Sequence, residues 1–150
     1  MDDLRDLYQQ LILDHNKSPR NQGKLEDSNR QAQGYNPLCG DKLKVYLHVE
    51  DDIVKNISFE GSGCAISTAS ASLMTQSVKG KTIEQARAIF DSFHQMLTED
   101  STSELDESAL GKLVVFSGVC KYPARVKCAT LAWHTVNAAL SDTSEQVTTE

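Results

Sequence analysis

Four cysteines and one aspartate pose the chemical question in this chain. Cys39 and Asp41 flank a single glycine in "NPLCGDK", residues 36–42, and Cys64 closes "GSGC". Cys120 and Cys128 lie near the end of the chain. A thiol two residues from a carboxylate on a tight turn is compatible with chance, a helix cap, a catalytic dyad or half of a metal site. The cysteine spacings contain no Cys-x-x-Cys. A disulfide framework suits a short secreted chain. Here Met1-Asp2-Asp3 leads into an amphipathic stretch and does not read as an export signal, so the expectation is a cytoplasmic protein with reduced thiols. Buried, inert thiols packing as small hydrophobes are one reading. Metal ligands are the other.

The elements that must position these groups follow from periodicity. Residues 2–15 place Leu4, Leu7, Tyr8, Leu11 and Ile12 on one helical stripe, with Asp2 and Asp3 at the positive end of the helix dipole. The breaker-rich "NKSPRNQG" at 16–23 ends that helix. From Lys42 the period becomes two: Leu43, Val45, Leu47 and Val49 alternate with Lys44, Tyr46, His48 and Glu50. Asp51-Asp52 makes a turn, and Ile53, Ile57 and Phe59 mark a returning strand, so 42–60 predicts an antiparallel hairpin. A weaker alternation in 25–35 suggests a third strand.

Residues 65–78 predict a closely packed helix with Ile66, Ala69, Leu73 and Met74 on one side and Cys64 at its N-terminus. Thr82 to Gln85 reads as a capping box, opening a helix with Ile83, Ala86, Phe90, Phe93 and Leu97 at helical spacing. An acidic loop at 98–108 precedes a short apolar stretch, 110–116, that stops at Ser117-Gly118. Pro123 suits the first turn of a last helix that runs to about Leu140 and carries Val126, Trp133 and Val136. The polar tail from about 141 is expected to fray. The fold class is α+β: one domain over 1–150, with a small antiparallel sheet of about three strands and helices packed on it.

The hairpin brings distant residues together. Cys39 and Cys64 bracket its two outer ends, which lie side by side in an antiparallel pair, and Asp41 is on the same rim. Docking of the last helix there would complete a set of Cys39, Asp41, Cys64 and Cys128. Three thiolates and a carboxylate make a tetrahedral zinc site. Thiolates also favour iron–sulfur clusters, so spacing alone leaves the metal open. With 15 basic and 21 acidic residues, the net charge of −6 argues against grasping nucleic acid or an anionic membrane by charge. No apolar run approaches the roughly 20 residues of a membrane span.

Four segments, "LYQQLILDHNKSPRNQGKL", "NPLCGDKLKV", "FEGSGCAISTASASLM" and "YPARVKCATLAWHT", occur in order along nearly the whole chain. Together they resemble the IscU/NifU N-terminal family of iron–sulfur cluster assembly proteins, the Cys-Gly-Asp and Gly-Cys-Ala-Ile pair being the specific part. Within the family the chain resembles the SufU type. The stretch from Cys64 to Cys128 is long, with extra helix-forming sequence around 80–110. Lys127 stands where IscU has a histidine before its third cysteine. "YPARVK" replaces the IscU chaperone-recognition segment.

The resemblance implies Zn²⁺ held by Cys39, Asp41, Cys64 and Cys128, and a SufS-type cysteine desulfurase, a pyridoxal-phosphate enzyme, as partner. In that picture Cys39 leaves the metal when the desulfurase docks and accepts persulfide sulfur for downstream cluster assembly or recipient proteins. If counted as an enzyme, such a protein is a zinc-dependent sulfurtransferase. The alternative is a non-enzymatic scaffold on which iron and sulfide form a [2Fe–2S] cluster for transfer to apo-proteins.

Other polar residues have plainer readings. Cys120 is expected to be a bystander. Arg125 and Lys127 flank Cys128 and would either support the thiolates, dock a partner or form an exposed basic face. His134 is read as surface or packing, and His15, His48 and His94 share no ligand spacing. The hydroxyls of 67–77 lack a nearby base, so close helix packing explains them better than a nucleophile. Tyr8 is core or partner-facing.

Overall fold

The computed structural model describes residues 2–37, 40–98, 110–141 and 147–148. Helix α1, Asp2–Lys17, leads through a loop into β1, Arg30–Asn36, then β2, Asp41–Glu50, and β3, Ile53–Ser62. Helices α2, Ala65–Val78, and α3, Ile83–Thr98, follow. A 3-10 helix, Gly111–Lys121, precedes α4, Pro123–Leu140, and the two-residue β4, Val147–Thr148, comes last.

β1, β2 and β3 form the expected antiparallel meander. The Asp51-Asp52 turn joins β2 to β3 with both residues at positive φ, 54° and 61°, which matches the right-handed twist of a two-residue hairpin. β1 is the strand whose alternation is weak, and its buried positions explain why: Ala32, Gly34 and Asn36 face inward, and only one of them is a hydrophobe. β4 adds a parallel edge next to β1, pairing Gly34 with Val147 and Tyr35 with Thr148 inside the stretch expected to fray.

On β2, Asp41, Leu43, Val45, Leu47 and Val49 point into the core. Helix α4 covers that face over β1 and β2, α2 packs on β3 and α4, and α1 packs on α2. Helix α2 is enclosed on most sides, more than a single apolar stripe predicts. Its hydroxyls serve packing: Ser70 Oγ donates to the Ala129 carbonyl at 2.5 Å, tying α2 to α4. Ser72 Oγ lies 2.6 Å from Nδ1 of buried His15 and accepts from the Arg20 backbone N–H at 2.9 Å.

Two further expectations change. Leu7, placed on the buried stripe of α1, is 59% exposed, because Tyr8, Leu11 and Ile12 make the core contact instead. The apolar stretch expected to stop at Ser117-Gly118 belongs to a 3-10 helix that continues to Lys121, with Leu113, Val115, Phe116 and Val119 buried beneath α3 and α4. Packing overrides the local breaker signal there. The capping box forms as expected, with Gln85 N–H donating to Thr82 Oγ1 and Thr82 N–H to Gln85 Oε1, both at 3.0 Å. Residues 99–109, which carry most of the acidic loop, lie outside the described residues.

Candidate metal centre

The outer rim of the hairpin, the start of α2 and the second turn of α4 converge at one end of the sheet. Asp41 is the first residue of β2 and has no exposed surface. Its Oδ1 accepts the backbone N–H of Cys64 at 2.9 Å, and its Oδ2 accepts the Asn36 side-chain amide at 3.1 Å. Cys64 is the N-cap of α2, its Sγ accepting from the Ser67 backbone N–H at 3.4 Å. Cys128 is buried in α4, with Sγ 3.6 Å from the Asn36 amide nitrogen. A carboxylate oxygen of Asp41 and the sulfurs of Cys64 and Cys128 all lie within 4.8 Å of one another.

Local structure accounts for this placement. Asn36 and Asp41 are paired across β1 and β2, and the Gly40 N–H donates to the Asn36 carbonyl at 2.8 Å to close the turn. Gly40 sits at φ +73°, the left-handed region that glycine reaches without strain. Gly63 is required by proximity: a Cβ there would stand 2.4 Å from Asp41 Oδ1. The strand-to-helix turn thereby comes close enough to present the Cys64 N–H to the carboxylate.

The donor set fits a soft divalent cation. Two sulfurs and an oxygen match zinc, whose ligands in a tetrahedron with bonds of about 2.0–2.3 Å stand roughly 3.5–3.8 Å apart. The triad's atoms lie within 4.8 Å of one another, which lets them hold a single metal ion. Among the described residues no basic side chain forms an ion pair with Asp41, whose partners are two neutral N–H donors. A buried carboxylate without a countercharge is costly, and a bound cation removes that cost.

The candidate ligands Asp41, Cys64 and Cys128 thus stand together, and no disulfide joins the two cysteines. Cys39 lies outside the described residues, between the end of β1 and the start of β2 in sequence. The Arg125 guanidinium is exposed and sits 4.8 Å from the centre of the Tyr122 ring, while Lys127 is half-buried. The Cys120 backbone belongs to the 3-10 helix.

Two features escape sequence reasoning. Asn36 is fully buried against two candidate ligands, and among the described residues its own Oδ1 has no hydrogen-bond partner. The only signal was its place at the head of "NPLCGDK". Elsewhere, His94 and His134, forty positions apart, meet edge to face with centroids 5.6 Å apart, and Phe90 packs on both. Burial, and then the neighbouring His94, push the His134 pKa below its usual value.

Comparison with known proteins agrees with the geometry. The family model described as the NifU-like N terminal domain matches residues 7–129. The chain is 48% identical to the zinc-dependent sulfurtransferase SufU of Bacillus subtilis, over 85% of this chain and 84% of that protein. It is 40% identical to the iron–sulfur cluster assembly scaffold protein IscU of Thermotoga maritima, over 92% of this chain and 95% of that protein. A crystal structure described as a candidate SUF-system cluster assembly scaffold from Fervidobacterium islandicum superposes with a TM-score of 0.81 at 36% identity, covering 87% of this chain and 93% of the other.

Proposed function

Because the chain belongs to the NifU-like N-terminal domain family, we propose that it serves iron–sulfur cluster assembly as a zinc-dependent sulfur acceptor, taking persulfide sulfur from a SufS-type cysteine desulfurase in the cytoplasm. The observation that carries this reading is the buried Asp41 carboxylate set against Cys64 and Cys128 within 4.8 Å and without a basic partner among the described residues. Asp41, Cys64, Cys128 and Cys39 would hold the zinc. When bound, the metal supplies positive charge that keeps the thiols in the deprotonated, nucleophilic form.

The chain's own residues divide the work. Cys128 is locked in a buried helix, and Cys64 caps another. Asp41 is held by two hydrogen bonds. Cys39 is therefore the thiolate that reacts. Its sulfur attacks the terminal sulfur of the desulfurase persulfide, one S–S bond forms as another breaks, and the desulfurase cysteine leaves as a thiolate. No net electrons are gained or lost. Downstream cluster assembly or recipient proteins then take the sulfur from Cys39. Arg125 and Lys127, flanking Cys128, supply positive charge beside the thiolates or toward the docked partner.

The likeness to proteins named as cluster scaffolds supports a second reading, in which the same ligands hold a [2Fe–2S] cluster as cargo for apo-proteins. Metal analysis of the isolated protein, with desulfurase turnover measured for wild type and Cys39→Ala, tests the first reading. Stoichiometric zinc and loss of stimulation in the variant are expected, and full stimulation by Cys39→Ala overturns it. Anaerobic reconstitution with iron and sulfide tests the second, which fails if no cluster absorption develops.

A further inference from the structure

We infer that Asn36 is a positioning residue that divides the roles of the ligands, holding Asp41 and Cys128 as a fixed pair and damping Cys128 so that sulfur chemistry is confined to Cys39. The inference rests on the sulfur-acceptor reading above and deepens it. One amide nitrogen reaches both groups: Asn36 Nδ2 is 3.1 Å from Asp41 Oδ2 and 3.6 Å from Cys128 Sγ. An amide group carries two N–H bonds on that nitrogen, enough for both acceptors.

The two acceptors arrive from separate elements, Asp41 from β2 and Cys128 from α4, and Asn36 at the end of β1 bridges them. A hydrogen bond withdraws electron density from a thiolate and makes it a poorer nucleophile. Charge-assisted bonds of this kind are also stronger than neutral ones, so a bridged Cys128 is held more firmly. Among the described residues the hydrogen-bond partners of this buried side chain are these two acceptors, both candidate ligands, and its Oδ1 has none.

The test uses the full chain loaded with Co²⁺ as a spectroscopic substitute for zinc, comparing wild type with Asn36→Ala and with Asn36→Leu, whose branched apolar side chain fills the site if the alanine variant does not fold. Losing a hydrogen bond to a thiolate raises its electron-donor strength, so the sulfur-to-cobalt charge-transfer band should move to longer wavelength. A purely structural disturbance would instead alter the d–d bands that report coordination geometry. After incubation with a persulfide-bearing desulfurase, mass spectrometry of the cysteine peptides should find sulfur on Cys39 alone in wild type and on both Cys39 and Cys128 in the variants. A charge-transfer band that does not move, or sulfur that stays wholly on Cys39 in the variants, overturns the proposal. Failure of wild type itself to bind Co²⁺ or to accept sulfur would instead sink the sulfur-acceptor reading, and this proposal with it.

Discussion

The backbone N–H of Cys64 donates to Oδ1 of Asp41 at 2.9 Å, so a strand and a helix N-terminus share one carboxylate. That contact ties the position of one sulfur to the position of the only oxygen in the triad. It depends on Gly63, where any side chain would push against Asp41.

Gly63→Ala should therefore damage the site more than the fold. The added Cβ would lie 2.4 Å from Asp41 Oδ1, and overpacking of this kind costs about 1–3 kcal/mol. The expected outcome is a folded protein that loses zinc to a competing chelator faster than wild type. Circular dichroism and a chelator-driven release assay check the two halves separately.

The capping role of Cys64 and its proposed role as a metal ligand can be separated by substitution. Its Sγ caps α2 by accepting from the Ser67 N–H, and serine is among the preferred N-caps. Cys64→Ser should keep the helix cap while losing metal affinity. Cys64→Ala should lose both, with a further destabilisation of about 1 kcal/mol. Thermal unfolding of the metal-free forms, alongside zinc titrations, distinguishes the variants.

Zinc should stabilise the fold by mass action, because the candidate ligands come from separate elements and converge only in the native state. At free zinc of about 100 times the dissociation constant the gain is about 2.7 kcal/mol. The melting temperature of wild type should climb with zinc, while that of Cys128→Ser should respond far less. Differential scanning calorimetry across a zinc series reads this directly.

The His94–His134 contact predicts acid sensitivity in the packing of α3 on α4. Burial first, then the charge of His94, depresses the His134 pKa, so the native state favours the neutral ring. This contribution to stability is present above the unfolded value of about 6.5 and is lost as pH falls through the lower native value. Buried His15 is depressed in the same sense, with burial the larger cause and Arg20 next. Half-buried His48 runs the other way, raised by its bond to the Asp27 carbonyl and then by Glu50, and it holds its contribution at low pH. His134→Phe keeps a ring against Phe90 and removes one proton-binding site. Between about pH 7.5 and 5.5 its melting temperature should fall less than that of wild type.

Local pattern was sufficient for the four α-helices and for the β2–β3 hairpin, though not for the 3-10 helix, because hydrophobic period, turn residues and caps are short-range properties of the chain. Pro123 and the Thr82–Gln85 box marked helix starts that the structure keeps. The hairpin also made the approach of Asp41 to Cys64 legible, since antiparallel pairing places its two ends together whatever packs on them. The position of Cys128 was a matter for tertiary structure, because it depends on how α4 lies across β1 and β2. The same packing hid β1, whose inner face carries Ala32, Gly34 and Asn36 in place of a run of large hydrophobes. It also gave Asn36 its two polar neighbours and His134 its histidine partner. Those contacts join residues that no period in the sequence relates, so only the folded chain could assign them.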